Sequence, residues 1–201
     1  MPDFGDATSL IILWAVIGYL LGSIPTGLIL ARAMNLGNLR EIGSGNTGAT
    51  NVLRTGNKKA ALLTLLIDMG KGALAVILAT RLGNPGLGQL AGLAAFLGHC
   101  FSVWVRFRGG KGVATYFGVL GAVSPVMGAV AGLLWIGTAA ISRYSSLAAL
   151  VVAGWIPVII AFTDRGHIFL LAAILGALIY IRHAANISRL RAGTEGKIGG
   201  R

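Results

Sequence analysis

An all-α, polytopic membrane protein with seven transmembrane helices is the fold class this chain predicts, and three observations predict it. Of its 201 residues, 55% are hydrophobic and only 11% are charged, with a mean hydropathy of +0.80. Soluble domains carry about 25% charged residues. Glycine, at 31 residues, is roughly twice its usual share of ~7%, which suits membrane helices that touch through small side chains. Lastly, the basic residues fall in short blocks between apolar runs. The net charge of +11 therefore reads as positive-inside topology and not as nucleic-acid binding. The single Cys100 rules out an intrachain disulfide. With no linker, low-complexity tract or fixed-period repeat, residues 1–201 are expected to form one domain.

The first apolar run, residues 7–31, is uncharged and long enough for one span of ~20 residues. Asp3 and Asp6 precede it where a cleavable signal carries positive charge, so it is expected to stay as a helix. Pro25, within Gly22-Ser-Ile-Pro-Thr-Gly27, should kink or loosen its second half. The second run, residues 60–80, contains Asp68 and Lys71. Their i,i+3 spacing lets them neutralise each other as a structural pair near the cytoplasmic face, although an ionisable pair within a membrane is also a functional candidate. The third run, residues 82–105, is uncharged but includes His99.

Residues 112–142 are ambiguous, too long for one ordinary span and short for two. Ser124-Pro125 near the middle fits either a kink or a turn. Residues 144–163 and 166–181 form the last two runs, separated by Asp164-Arg165. Charge bias chooses the turn. With seven helices, one face collects Arg32, Arg40, Arg54, Lys58, Lys59, Arg106, Arg108, Lys111, Arg143, Arg182, Arg189, Arg191, Lys197 and Arg201. That is 14 of the 17 basic residues, with Lys71 inside a helix and only Arg81 and Arg165 opposite. A kink at Pro125 would move Arg143 and the tail charges across and break the positive-inside rule. The N-terminus is therefore expected outside and the C-terminus in the cytoplasm.

Four polar segments then meet at one membrane face. Gly43-Ser-Gly-Asn-Thr-Gly-Ala-Thr-Asn51, followed by Arg54, combines flexible glycines with neutral donors from Ser44, Asn46 and Asn51 and a planar guanidinium. Such a loop can make an anion-binding concavity, or simply connect two helices. Gly109-Gly-Lys-Gly112 fails as a Walker A loop, because Gly112 stands where Ser or Thr is needed and Val105 where the first glycine belongs. A glycine turn opening a helix should still point free amides of Gly109 and Gly110 outward, with Lys111 as a mobile charge. Its plainer reading is an interfacial turn with a headgroup-binding lysine. The third segment is the turn at Ser142-Arg-Tyr-Ser-Ser146. The fourth runs from Arg182 to Glu195 and carries His183 and Asn186 on a shared face.

No metal site is expected, since the chain has three histidines, one cysteine and no ligand spacing. Trp104, Ala172 and Ser188 stand five residues after the histidines, so no His-x4-Asp pair occurs. The face is rich in anion donors and poor in bases. It suits the binding of phosphates. His99 or His183, taken alone, also fits a hydrogen-bonded structural role.

These segments resemble the bacterial acyl-phosphate-dependent glycerol-3-phosphate acyltransferase family over nearly the whole chain. The shared blocks are Gly22-Ser-Ile-Pro25, Gly43-Ser-Gly-Asn46 with Gly48-Ala-Thr-Asn-Val52, Gly98-His99 with Phe107, and Gly109-Gly-Lys-Gly-Val-Ala-Thr115. Arg182-His183, Asn186-Ile187, Arg189-Leu190, Gly193 and Glu195 complete the match. Ser102, Arg108 and Ala184 depart from the usual pattern. The resemblance implies an enzyme that moves a fatty acyl group from acyl phosphate to the 1-hydroxyl of glycerol 3-phosphate. Lysophosphatidic acid and phosphate would be the products, without acyl-CoA or acyl-carrier protein. It implies a substrate-contacting and catalytic set of Ser44, Arg54, Lys111, Ser146, His183 and Asn186. Lys111, His183 and Ser44 are expected as catalytic. Arg54, Asn46, Asn51, Gly109, Gly110, Ser146 and Asn186 are expected to bind substrate.

No cofactor is expected. The partners implied are glycerol 3-phosphate, a long-chain acyl phosphate and membrane lipids, with a monomer as the working unit. The location implied is the bacterial inner membrane, with the site on the cytoplasmic side. A transporter or binding protein for a small phosphate ester is the rival reading, but it would place charge and broken helices near the midplane and show two related halves.

Overall fold

The computed structural model describes residues 8–199. Asp3, Asp6 and Arg201, which entered the topology argument, lie outside the described residues. Ten α-helices and two short 3-10 turns account for the described secondary structure, with no strand among these residues. The helices are α1 (Thr8–Ser23), α2 (Thr26–Ala33), α3 (Ala49–Leu53), α4 (Lys58–Leu82) and α5 (Pro85–Cys100). They continue with α6 (Val113–Val123), α7 (Pro125–Ser142), α8 (Ser145–Ala161), α9 (Phe169–Arg182) and α10 (Ala184–Arg191).

Helix boundaries follow local chemistry. Asn57 accepts from the Ala60 amide at 3.0 Å to cap α4, and Asn84 accepts from Leu87 at 2.9 Å to cap α5. Proline at the first position of α5 and α7 loses no helical hydrogen bond. Pro25 breaks the first run between α1 and α2, and the freed Ile24 carbonyl accepts from Lys71 Nζ at 2.9 Å. A buried lysine thus satisfies the broken helix, and Asp68 neutralises it at 2.8 Å.

Ser124-Pro125 is a turn. A Cβ placed on Gly128 would lie 2.6 Å from the Gly121 Cα, which requires α7 to fold back on α6. Within the described residues every apolar run is largely helical, and residues 112–142 form two helices. Four helical stretches, Thr8–Ala33, Lys58–Leu82, Pro85–Val105 and Pro125–Ser142, are long and apolar enough to cross a membrane. A fifth arises if Gly166–Arg182 and Ala184–Arg191, bent by 61°, are one span. At 11 and 17 residues, α6 and α8 are shorter than the ~20-residue span the sequence predicts for each run.

Small residues set the helix contacts. A Cβ on Gly22 would fall 1.9 Å from the Ala95 carbonyl oxygen, and one on Gly118 would fall 1.9 Å from that of Met69. Close backbone approach of α1 to α5, and of α4 to α6, depends on those glycines. The largest core cluster joins Phe96 and Cys100 of α5 to Tyr116 and Val119 of α6, Val152 and Ile156 of α8 and Leu175 of α9. Large apolar side chains such as Leu133 and Phe162 remain exposed, as expected of a surface facing lipid.

Candidate active site

The four polar segments converge through side-chain contacts. Thr50 and Ser145 hydroxyls stand 3.3 Å apart and join the first loop to the α7–α8 turn. Lys111 Nζ donates to Asn186 Oδ1, joining the glycine turn to α10. Ser146 Oγ donates to Glu195 at 2.7 Å, and a Cβ on Gly196 would lie 3.2 Å from Arg54. Arg40 ties the first loop to the second by donating to the carbonyls of Gly45 and Arg108.

Within the first loop, Asn51 is the organiser. Its carboxamide nitrogen donates to the Leu39 and Asn46 carbonyls at 2.9 and 2.7 Å. Its oxygen accepts from the Ser44 amide at 3.1 Å, from the Ser44 hydroxyl and from Arg54 at 3.4 Å. Gly43 and Gly45 take positive φ, at 53° and 66°, which lets the chain wrap this side chain. Asn51 is therefore buried and fully engaged, while Ser44 and Arg54 stay exposed. Asn46 Oδ1 accepts from the Gly48 amide at 3.3 Å.

The glycine turn differs from its expectation. Gly109 and Gly110 amides do not point at a ligand: they donate to the Cys100 and His99 carbonyls at 3.1 and 3.0 Å. The last carbonyls of a helix lack internal partners, and those of α5 recruit this turn. Arg182 grips the far side, donating to the Gly110 and Gly109 carbonyls at 3.2 and 3.3 Å. What the segment offers a ligand is Lys111.

Glu195 is a hub to which the sequence reading gave no role, although it is one of the few acids that could reach this face. Ser146 Oγ and Asn186 Nδ2 donate to Oε1 at 2.7 and 2.6 Å, and Arg189 Nε donates to Oε2 at 2.6 Å. Burial by itself would raise this carboxyl, but the three donors hold it below the usual range. Arg189, Arg182 and Glu195 are the site residues that sequence reasoning left without a role. The available signal was a lone tail acid among basic residues.

Burial, with Arg189 adding repulsion, lowers Lys111 to about 8, against the opposing pull of Glu195. At the α9–α10 break, burial lowers His183 to about 4, only partly offset by its hydrogen bond to the Ile179 carbonyl. That contact, at 2.8 Å, makes Nδ1 the donor and leaves Nε2 with its lone pair. His183 is thus neutral near pH 7 and a weak base. No group of three His, Cys, Asp or Glu residues among the described residues could hold a metal.

Beside this constellation, α8, α9 and α10 enclose a groove of about 690 Å³, lined by Leu147, Leu150, Gly154, Trp155, Tyr180 and Ile187 among others. Its lining residues Leu147, Ile187 and Leu190 directly follow Ser146, Asn186 and Arg189 in the chain. Donors for anions and an apolar trough therefore adjoin.

A helical membrane protein that sets a donor-rich polar cluster beside an apolar groove is the class these features define. A sequence profile of the glycerol-3-phosphate acyltransferase family matches residues 12–193, and the chain belongs to that family. It is similar to the glycerol-3-phosphate acyltransferase of Dinoroseobacter shibae, 53% identical over 99% of this chain and 98% of that one. The Sinorhizobium medicae enzyme is 56% identical over 92% and 90%. Among solved structures, it is similar to PlsY (YgiH), an integral membrane glycerol 3-phosphate acyltransferase, in its glycerol 3-phosphate form. That match has a TM-score of 0.89 at 36% identity and covers 94% of this chain and 95% of that one. These findings favour the acyltransferase over the transport reading.

Proposed function

We propose that this enzyme takes its acyl group from acyl phosphate and delivers it to the 1-hydroxyl of glycerol 3-phosphate, releasing lysophosphatidic acid and phosphate. The observation that carries this reading is the cluster that links Lys111 to Asn186, Asn186 and Ser146 to Glu195, and the Gly196 backbone to Arg54, with an apolar groove alongside. Crystal forms of the similar PlsY contain glycerol 3-phosphate and lysophosphatidic acid, which supports the acceptor and the product. The acyl chain would lie in the groove along α8, and its phosphate would reach the cationic residues.

Two anionic substrates repel each other, and a donor-rich site lowers that barrier while orienting them. The same donors stabilise charge on the carbonyl oxygen and on the departing phosphate. With His183 neutral and weakly basic, an oxygen of the donor phosphate takes the hydroxyl proton, and His183 orients substrate. Lys111, His183 and Ser44 act in the chemistry; Arg54, Asn46, Ser146 and Asn186 bind. Asn51, Gly109 and Gly110 shape the site, since their N–H groups are bonded to the backbone carbonyls that hold the two loops in place. The working unit is a monomer of one domain, residues 1–201, in the bacterial inner membrane. It spans the membrane seven times, with its N-terminus outside and its site and C-terminus in the cytoplasm.

Purified protein offered palmitoyl phosphate or palmitoyl-CoA in parallel should make lysophosphatidic acid from the first, without added metal. Efficient turnover of the CoA thioester would overturn the donor assignment. Reporters fused after Arg201 and at Met1 should appear on opposite faces of the membrane. Both on one side would refute seven spans.

A further inference from the structure

Below the glycine turn lies a buried cluster that the acyl-transfer chemistry does not use: Asp68 and Lys71 on α4 and His99 on α5, all nearly inaccessible. His99 Nδ1 faces Asp68 Oδ1 at 3.5 Å, and Lys71 closes the group by pairing with Asp68 and the Ile24 carbonyl. The cavity among Ser23, Thr26, Thr47, Lys71 and Ser102 measures about 10 Å³. That is room for one water and no substrate. The cluster meets the glycine turn directly above it, and its cavity also touches Thr47 of the first loop.

That meeting is close. A Cβ on Gly110 would lie 2.1 Å from His99 Nε2, and one on Gly109 would lie 2.0 Å from the His99 carbonyl oxygen. The two glycines rest on the histidine, and Arg182 holds their carbonyls from the other side. Lys111 is the next residue. We propose that His99 and Asp68 are positioning residues for Lys111: the His99 backbone carbonyl and imidazole seat Gly109 and Gly110 respectively, and Asp68 fixes which ring edge faces Gly110. This rests on the reading of Lys111 as part of the acyl-transfer site. A carboxylate facing one ring nitrogen orients an imidazole and directs the other nitrogen. Small misplacement of a charged group at a reacting centre costs rate without loss of fold.

Double-variant kinetics test this, using the full chain in detergent and whichever acyl donor the wild type turns over, so that a wrong donor assignment leaves the cycle readable. His99→Gln and Asp68→Asn should each lower kcat on the order of tenfold in the wild-type background. In a Lys111→Ala background, neither should lower it further, because both act through the lysine. Gly110→Ala should lose activity, and His99→Ala should restore part of it by vacating the contact. A merely structural role predicts the same fold-loss in both backgrounds, tracking the melting temperature; that result, or wild-type kcat in His99→Gln, overturns the proposal. Should His99→Gln fail to fold, Gly110→Ala tests the same point from the turn. Its loss vanishing without Lys111 supports the assignment, and persistence at full size overturns it.

Discussion

The two glycine-rich segments have similar compositions and opposite construction. Residues 43–51 fold around their own side chain, Asn51, and are pinned to the rest of the fold mainly by neighbours in sequence. Residues 109–112 hold almost no bonds among themselves and are fixed from outside by the end of α5 and by Arg182 on α9. One loop is self-supporting and displays Ser44 and Arg54; the other is clamped and displays only Lys111. Glycine serves wrapping in the first and clearance in the second.

If both segments serve to present a cation, removing either cation should give the largest effect. Arg54→Ala and Lys111→Ala should each lower turnover ~100-fold, as expected for a lost charge-assisted contact on the order of 3 kcal/mol. Melting temperatures should barely move. Wild-type kinetics in either variant would reduce that segment to a headgroup-binding loop.

Asn51→Ala probes the self-supporting loop. It strands the buried Leu39 carbonyl and releases Ser44, so activity should fall on the order of tenfold with a stability loss of about 1–3 kcal/mol. Calorimetry with kinetics checks both. Activity lost without any stability change would mean that Asn51 touches substrate instead.

The clamped segment also carries a pH signature. Lys111, lowered to about 8 by burial and Arg189, is charged below that pH and neutral above it. kcat/KM should therefore decline as pH rises through about 8. Lys111→Arg should remove that limb, because a guanidinium stays protonated, while turning over more slowly than wild type. An unchanged limb in Lys111→Arg would assign it to another group.

The smallest expected effect concerns His183, which lies at the α9–α10 break, outside both glycine segments. If the donor phosphate takes the proton, the acidic limb of the kcat profile persists in His183→Asn, at lowered rate. A limb near 4 in wild type that disappears in the variant would make His183 the general base.

Much of this architecture was legible in the residues. Hydropathy runs marked every apolar helix, Pro25 and Pro125 marked the breaks, and spacing marked the Asp68–Lys71 pair. Each of those signals is local, because it depends on solvation and on backbone geometry within a few residues. The four polar segments that the structure joins were also picked out by residue type. Their bonding was not. Gly109 and Gly110 read as ligand donors because nothing nearby in sequence shows that the α5 carbonyls need partners. Glu195 has no role legible in the sequence because Ser146, which anchors it, lies 49 positions away.

By itself, then, the sequence determined a helical membrane protein with donor-rich connections gathered at one face. Only the tertiary structure decided which of those donors remain free. Asn51 is consumed by its own loop and the glycine amides by α5, whereas Ser146, Asn186 and Arg189 are gathered around Glu195 and Lys111 spans 75 positions to reach Asn186. The physical reason is that a buried polar group must find a partner wherever the packed helices place one, and that choice is settled by three-dimensional proximity rather than by order along the chain.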